Sequence, residues 1–133
     1  MKLEDIEGIG PAHAATLRAA GVASSGALLE RAGPKAGRDA LAAATGISGK
    51  LLLEWANACD LMRIKGIGAQ FSDLLEAAGV DSAAELARRN PATLAQTFAE
   101  LNAARSTTRR APTEAMVAGW IAEAKSLPKA VHH

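Results

Sequence analysis

The sequence predicts an all-α protein made of two tandem repeats of about four helices each, packed as a pseudo-symmetric helical domain. Three observations support this fold class. The chain is rich in alanine, which has the highest helix propensity and is depleted in strands. It repeats itself internally, and each copy carries capping residues at helix-length intervals. We therefore expect helices throughout and no sheet.

The repeat is visible by direct alignment of the two halves. Residues 6–22 read IEGIGPAHAATLRAAGV and residues 64–80 read IKGIGAQFSDLLEAAGV, a constant spacing of 58 residues. Residues 47–62 then align with 112–127 at a spacing of 65, so that the second copy is longer. The extra residues are placed in RSTTRRA (105–111), a polar basic segment typical of a surface loop. We predict repeats at 1–62 and 63–133, or one compact domain containing both.

Capping residues predict the helix boundaries in order. Serine or asparagine caps several of the predicted helices, proline opens others, and glycine ends the first and third helices of the first copy. In the first copy the predicted helices span residues 11–20, 24–32, 34–46 and 48–62. In the second copy they span residues 69–78, 82–89, 91–104 and 113–127.

The last helix of each copy carries an apolar stripe at spacings of three and four residues. The stripes are Leu52, Trp55, Cys59 and Met62, and Val117, Trp120, Ala124 and Leu127. We predict that both tryptophans pack in the core and that the copies pack through these helices; base stacking is the alternative for the tryptophans. Because alanine stands at the position equivalent to Cys59, this lone cysteine is interpreted as a small buried residue.

Charge and composition restrict the classes of function. Lys and Arg number 15 against 14 acidic residues, a formal charge of +1, whereas dedicated DNA-binding proteins usually have a clear basic excess. The excess lies after Asp60, so an anionic partner should prefer the second half. The N-terminus does not resemble a signal peptide, and no apolar run is long enough to span a bilayer, so we expect a cytoplasmic protein.

The Gly-Ile-Gly segments resemble the helix-hairpin-helix family. Glycines flanking one apolar residue allow a tight turn with positive φ, and the isoleucine can anchor that turn in the core. In this family the turn and the following helix N-terminus hold a nucleic-acid phosphate without reading the sequence, often with a monovalent cation on the turn carbonyls. The resemblance maps this site onto Gly8, Ile9 and Gly10, and onto Gly66, Ile67 and Gly68.

Basic residues favour the second of these segments. Arg63 and Lys65 flank it, and Arg105, Arg109 and Arg110 in the extra loop could extend a phosphate-binding surface. The first segment follows the acidic residues Glu4, Asp5 and Glu7. Three other arginines, Arg31, Arg88 and Arg89, end short helices, where we expect solvated side chains that suit the helix dipole.

A closer resemblance rests on residues 55–91 and 109–128 and covers almost the whole chain. These stretches are similar to a bacterial family of tandem helix-hairpin-helix domains of unassigned function. That resemblance implies the fold but no substrate, and the residues themselves suggest no catalytic set, metal site or cofactor. His13, the one internal histidine, is replaced by Phe71 in the second copy and is expected to be solvated. His132 and His133 are interpreted as a tag remnant.

Two functions fit this sequence, and neither is enzymatic. The first is weak binding of the DNA or RNA backbone, without sequence specificity, through the Gly-Ile-Gly segments. The alternative is an adaptor that binds a protein or a small ligand in a groove between the repeats. The charge balance weakens the first without excluding it.

Overall fold

The computed structural model describes residues 2–6, 8–105 and 110–133, and the regular elements within these ranges are all helical. The predicted all-α class is confirmed. A short 3₁₀ helix, Leu3–Asp5, precedes α1 (Pro11–Ala19), α2 (Ser25–Ala32), α3 (Lys35–Thr45), α4 (Gly49–Leu61), α5 (Ala69–Ala77), α6 (Ala83–Leu86), α7 (Pro91–Arg105) and α8 (Glu114–Ser126). None of these described helices is both long and apolar enough to cross a membrane.

Polar side chains at five helix starts, among them the predicted caps Ser24, Ser48 and Asn90, accept hydrogen bonds from the first turns of their helices. These bonds run from Ala27 N to Ser24 Oγ (3.2 Å), Leu51 N to Ser48 Oγ (3.1 Å), Glu85 N to Ser82 Oγ (3.2 Å), Thr93 N to Asn90 Oδ1 (3.1 Å) and Met116 N to Thr113 Oγ1 (3.2 Å). At the other end of α3, Gly46 adopts φ +76°, the left-handed conformation that commonly ends a helix. Local capping chemistry therefore sets these boundaries.

Two details differ from the sequence prediction. The 3₁₀ helix Leu3–Asp5 was not expected, and α6 is shorter than the predicted 82–89. The peptide N–H groups of Arg88 and Arg89 donate to carbonyls three residues earlier, so the chain tightens after α6. The Arg89 guanidinium also donates to Gly79 O (3.1 Å), which draws this segment back toward the end of α5.

The first of two compact units comprises Met1–Asp60 together with Ala130–His133. Within it α2 packs on α3, and α1 packs on the 3₁₀ helix. Large apolar side chains on all of these elements and on α4 are buried. They include Leu3, Leu17, Leu28, Leu41, Leu52 and Trp55.

The second unit comprises Leu61–Lys129. Helix α7 packs against α5 and α8, and α8 also packs against α6. The buried core of this unit draws on every one of these helices. Its members include Ile64, Leu74, Leu75, Leu86, Phe98, Val117, Trp120 and Ile121.

The C-terminal segment Ala130–His133 is held in the first unit by the buried Arg38. The peptide N–H of His132 donates to Gly33 O (2.9 Å), and Val131 is buried. The Arg38 guanidinium donates to the carbonyl oxygens of Ala32 (2.9 Å), Gly33 (3.0 Å) and His132 (2.9 Å). The backbone of His132, excluded from the sequence-based search for a site, is thus part of the hydrogen-bonding of this unit.

Candidate functional site

Each unit contains one Gly-Ile-Gly turn, the first turn (residues 6–10) and the second turn (residues 64–68). Each closes with a hydrogen bond of 3.1 Å, from Ile9 N to Ile6 O and from Ile67 N to Ile64 O. All four of these isoleucines are buried, whereas the glycines between and after them are exposed. The predicted anchoring by Ile9 and Ile67 is confirmed, and it presents the glycine backbone to solvent.

Only the first glycine of each turn has a backbone conformation that favours glycine. Gly8 adopts φ +88° and Gly66 φ +94°. Gly10 (φ −84°) and Gly68 (φ −98°) are extended, a conformation open to any residue, and a Cβ added to either would meet no atom within 4 Å. The expectation of positive φ at Gly10 and Gly68 is therefore wrong.

A buried tryptophan packs against the first glycine of each turn. Trp55 is 2% exposed and Trp120 5%. A Cβ on Gly8 would lie 3.4 Å from the indole Nε1 of Trp55, and a Cβ on Gly66 would lie 3.2 Å from that of Trp120. The prediction of core packing is confirmed, and burial rules out base stacking by these rings. The indole edge occupies space that only glycine leaves open.

The same tryptophans contact an aromatic ring from the helix that follows each turn. The His13 ring lies 5.1 Å from that of Trp55 in an edge-on arrangement, and the Phe71 ring lies 5.2 Å from that of Trp120. His13 is therefore half-buried against Trp55, and the expectation of a solvated residue is wrong. The phenylalanine at the matching position was the signal that could have shown this.

A pair of alanine substitutions tests the glycine assignment. Gly66→Ala should lower the free energy of unfolding by about 1–3 kcal/mol, because its φ is strained for a residue with a Cβ and that Cβ would press on Trp120. Gly68→Ala, two residues away, should change it by less than about 0.5 kcal/mol. Urea unfolding followed by circular dichroism measures both. Equal losses for the two variants would contradict the assignment.

The glycine after each isoleucine leads directly into a helix. The first helical bonds run from Ala14 N to Gly10 O (3.0 Å) in α1 and from Ser72 N to Gly68 O (2.9 Å) in α5. The N–H groups before these donors have no partner within their own helix. Helix α1 begins with Pro11, which has no N–H, whereas α5 begins with Ala69, which has one. The start of α5 thus offers one more donor.

An ion pair partly neutralises the acidic first turn. Both guanidinium nitrogens of Arg18 donate to the Glu4 carboxylate, at 2.7 and 2.9 Å. This hydrogen bonding lowers the pKa of Glu4 to about 2, so the carboxylate stays ionised throughout the neutral range. Arg18 is consequently engaged, and Asp5 is exposed nearby. Glu7, the third acidic residue named for this turn, lies outside the described residues.

The two basic residues of the second turn have different roles. Lys65 is exposed, as expected of a residue available to a partner. The Arg63 guanidinium instead donates to Pro128 O (3.1 Å), so Arg63 ties the chain after α8 to the turn. The peptide N–H of Lys65 donates to Oε2 of Glu123 in α8 (2.8 Å). No motif in the sequence pointed to Glu123.

Other arginines are less informative about a site. Arg105 ends α7, Arg110 is exposed, and Arg109 lies outside the described residues. Arg31 donates to Ala20 O (3.3 Å), as Arg89 does to Gly79 O, so these two hold the chain instead of being merely solvated. A shallow pocket at the start of α7 is lined by Arg88, Arg89, Asn90, Thr93, Leu94 and Thr97.

The described side chains include no cluster of metal ligands, and their one thiol is not reactive. Burial raises the pKa of the Cys59 thiol to about 12, so the thiolate that nucleophilic or redox chemistry needs is not available. Cys59 is buried, as predicted. Across residues 2–6, 8–105 and 110–133, no three His, Cys, Asp or Glu side chains are grouped so as to hold a metal ion.

Comparison with known proteins gives one match. A sequence family described as "Domain of unknown function (DUF4332)" matches residues 7–127, nearly the whole chain. Neither the curated proteins nor the solved structures contain a significant match. The match covers both turns but assigns no activity to them.

Proposed function

The chain belongs to the DUF4332 family of domains of unknown function, and we propose, from the geometry of its two turns, that it is a non-catalytic binding module. Its two Gly-Ile-Gly turns would hold the phosphate backbone of DNA or RNA weakly and without sequence specificity. In this proposal each unit is one copy of a helix-hairpin-helix repeat. The matching turns, each over a tryptophan, support that interpretation.

One observation carries the proposal: the second turn places exposed glycine backbone directly before an uncapped helix N-terminus. Gly68 has no side chain to cap α5, and the space beside its α-carbon is open. Successive N–H groups at a helix start form a site that suits an oxyanion, and the helix dipole adds to the attraction. Lys65 supplies an exposed positive charge on the same turn.

The first turn is the weaker half of the proposed interface. Pro11 removes one donor at the start of α1, and Arg18 is paired with Glu4. Binding through one good turn and few cations implies low affinity, of the order of 10⁻⁴–10⁻⁶ M near physiological salt. Phosphate contacts would carry no base information, so affinity should be similar for unrelated sequences.

Charge reversal at Lys65 tests the proposal. Lys65→Glu should weaken binding to a random duplex by about tenfold at about 50 mM salt, equally for different sequences. Its stability should change by less than about 0.5 kcal/mol, as for most surface substitutions. Lys50→Glu is the matched control, because Lys50 is an exposed lysine in α4 and belongs to neither turn. Fluorescence anisotropy with labelled duplex and single strand measures the affinities.

Two results would contradict the proposal. One is no binding to duplex or single strand by protein that circular dichroism shows to be folded. The other is an equal loss of affinity in Lys65→Glu and Lys50→Glu, because binding would then follow overall charge and not the turn.

One observation favours the alternative, a protein-binding adaptor. Helix α8 exposes Met116 (40%) beside a run of small residues, Ala115, Ala118, Gly119 and Ala122. Small residues allow another helix to approach closely, and an exposed methionine adapts to different partners. A pull-down with and without nuclease treatment separates the two functions, because a protein partner bound directly by α8 would stay bound after the nucleic acid is digested.

A further inference from the structure

Glu123 places a negative charge on the second turn. Its carboxylate Oε2 accepts the hydrogen bond from the peptide N–H of Lys65 at 2.8 Å. The two residues are far apart in sequence, and Glu123 belongs to α8, not to the turn. A carboxylate of the protein thus already occupies one of the backbone donors of the segment proposed to hold phosphate.

Contacts on both sides hold Glu123 in this position. Trp120, nearly one helical turn earlier in α8, lies under Gly66 with its indole nitrogen 3.2 Å from where a Cβ would be. After α8, Pro128 O accepts from the Arg63 guanidinium at 3.1 Å. The backbone that carries Glu123 is therefore held against the second turn, which keeps its carboxylate within reach of the Lys65 N–H.

The second turn is compact enough for this charge to act on any anion seated there. The 3.1 Å hydrogen bond from Ile67 N to Ile64 O encloses Lys65 and Gly66 in one tight turn. A phosphate on the turn or on the first residues of α5 would consequently lie within about one Debye length, ~10 Å, of the Glu123 carboxylate. Like charges at that separation repel.

We infer that Glu123 limits the affinity of the second turn, because this carboxylate of the protein itself competes with nucleic-acid phosphate. The inference rests on the proposed function. A phosphate must either displace Glu123 from the Lys65 N–H or bind beside its charge. The position 65 residues earlier, which aligns with Glu123 in the repeat, is Ala58, which has no carboxylate.

The test compares the duplex affinities of two charge-neutralised variants. In Glu123→Gln the amide oxygen can still accept from Lys65 N–H, so the contact and the fold are kept while the charge is removed. Glu114→Gln removes the same charge from the exposed first residue of α8. We expect Glu123→Gln to bind a random duplex about two- to fivefold more tightly than wild type, in line with loss of one surface charge interaction. The gain in duplex affinity of Glu114→Gln should be less than half of the gain of Glu123→Gln.

A second measurement, independent of nucleic acid, tests the contact itself. Glu123→Ala removes the acceptor, so hydrogen exchange at the Lys65 amide should become faster than in wild type. Unchanged exchange would overturn the inference. So would unchanged affinity of Glu123→Gln in conditions where wild type binds, and that result would leave the proposed function standing. If neither wild type nor Glu123→Gln binds while both are folded, the proposed function fails, and this inference fails with it.

Discussion

Trp120→Ala should lower the free energy of unfolding by about 3–5 kcal/mol, the range for truncating a large aromatic side chain in a packed interior. Trp120 is 5% exposed, belongs to the core of the second unit, and contacts Phe71 and the backbone of the second turn. Trp55→Ala should have a loss of the same size, since Trp55 is 2% exposed and contacts His13 and the first turn. Urea unfolding followed by circular dichroism at a helix wavelength measures both.

Met116→Ala is the matched control for Trp120, because Met116 is a large apolar side chain on the same helix but is 40% exposed. It should change stability by less than about 0.5 kcal/mol. A tryptophan variant as stable as Met116→Ala would show that the indole does not pack as described. The indole of Trp120 also packs against Gly66. Trp120→Ala should therefore loosen the second turn and speed its amide hydrogen exchange.

Features set by neighbouring residues could be predicted from the sequence. Ser24, Ser48 and Asn90 cap helices as expected, because a cap joins a side chain to an amide three residues later. The apolar stripe likewise placed both tryptophans in the core, because helical periodicity shows which residues share a face. For such features the pattern and its physical cause lie within a few residues of each other.

The glycine assignments show where local reasoning ends. The two glycines of a Gly-Ile-Gly segment are equivalent in the sequence pattern, yet only Gly66 has positive φ, while Gly68 is extended. The first copy divides in the same way, with Gly8 at positive φ and Gly10 extended, because the first glycine turns the chain and the second leads into a helix. His13 is a milder case, since the matching Phe71 already indicated an apolar environment for that position.

Contacts between distant residues were missed because no periodicity links them. Glu123 reaches the Lys65 amide and Arg38 reaches His132 O only after the chain has folded back. As isolated residues, both are ordinary charged positions of a helix. The consequences differ: Glu123 bears on the charge of the proposed site, whereas Arg38 bears on the stability of the first unit.

Arg38→Met should lower the free energy of unfolding by about 2–4 kcal/mol. Methionine keeps much of the aliphatic volume but removes the donors to Ala32 O, Gly33 O and His132 O. Gly33 O keeps the His132 N–H, but Ala32 O loses a charged donor in buried surroundings and His132 O loses one in partly buried surroundings. Relief from burying the guanidinium offsets part of this loss, because charge burial is itself unfavourable. Lys35→Met in the same helix, where the ion pair with Asp39 is exposed, should change stability by less than about 0.5 kcal/mol.

A double-mutant cycle then shows whether Arg38 acts through the C-terminal segment. A variant ending at Lys129 loses the buried Val131 and both backbone bonds of His132, so it should also be less stable. If the Arg38–His132 bond contributes, Arg38→Met should destabilise this shortened chain by less than it destabilises the full chain, with a difference of about 0.5–3 kcal/mol. Strict additivity would mean that Arg38 stabilises only the junction of α2 and α3, through Ala32 and Gly33, and that the C-terminal segment is held by Val131 and the Gly33 bond alone.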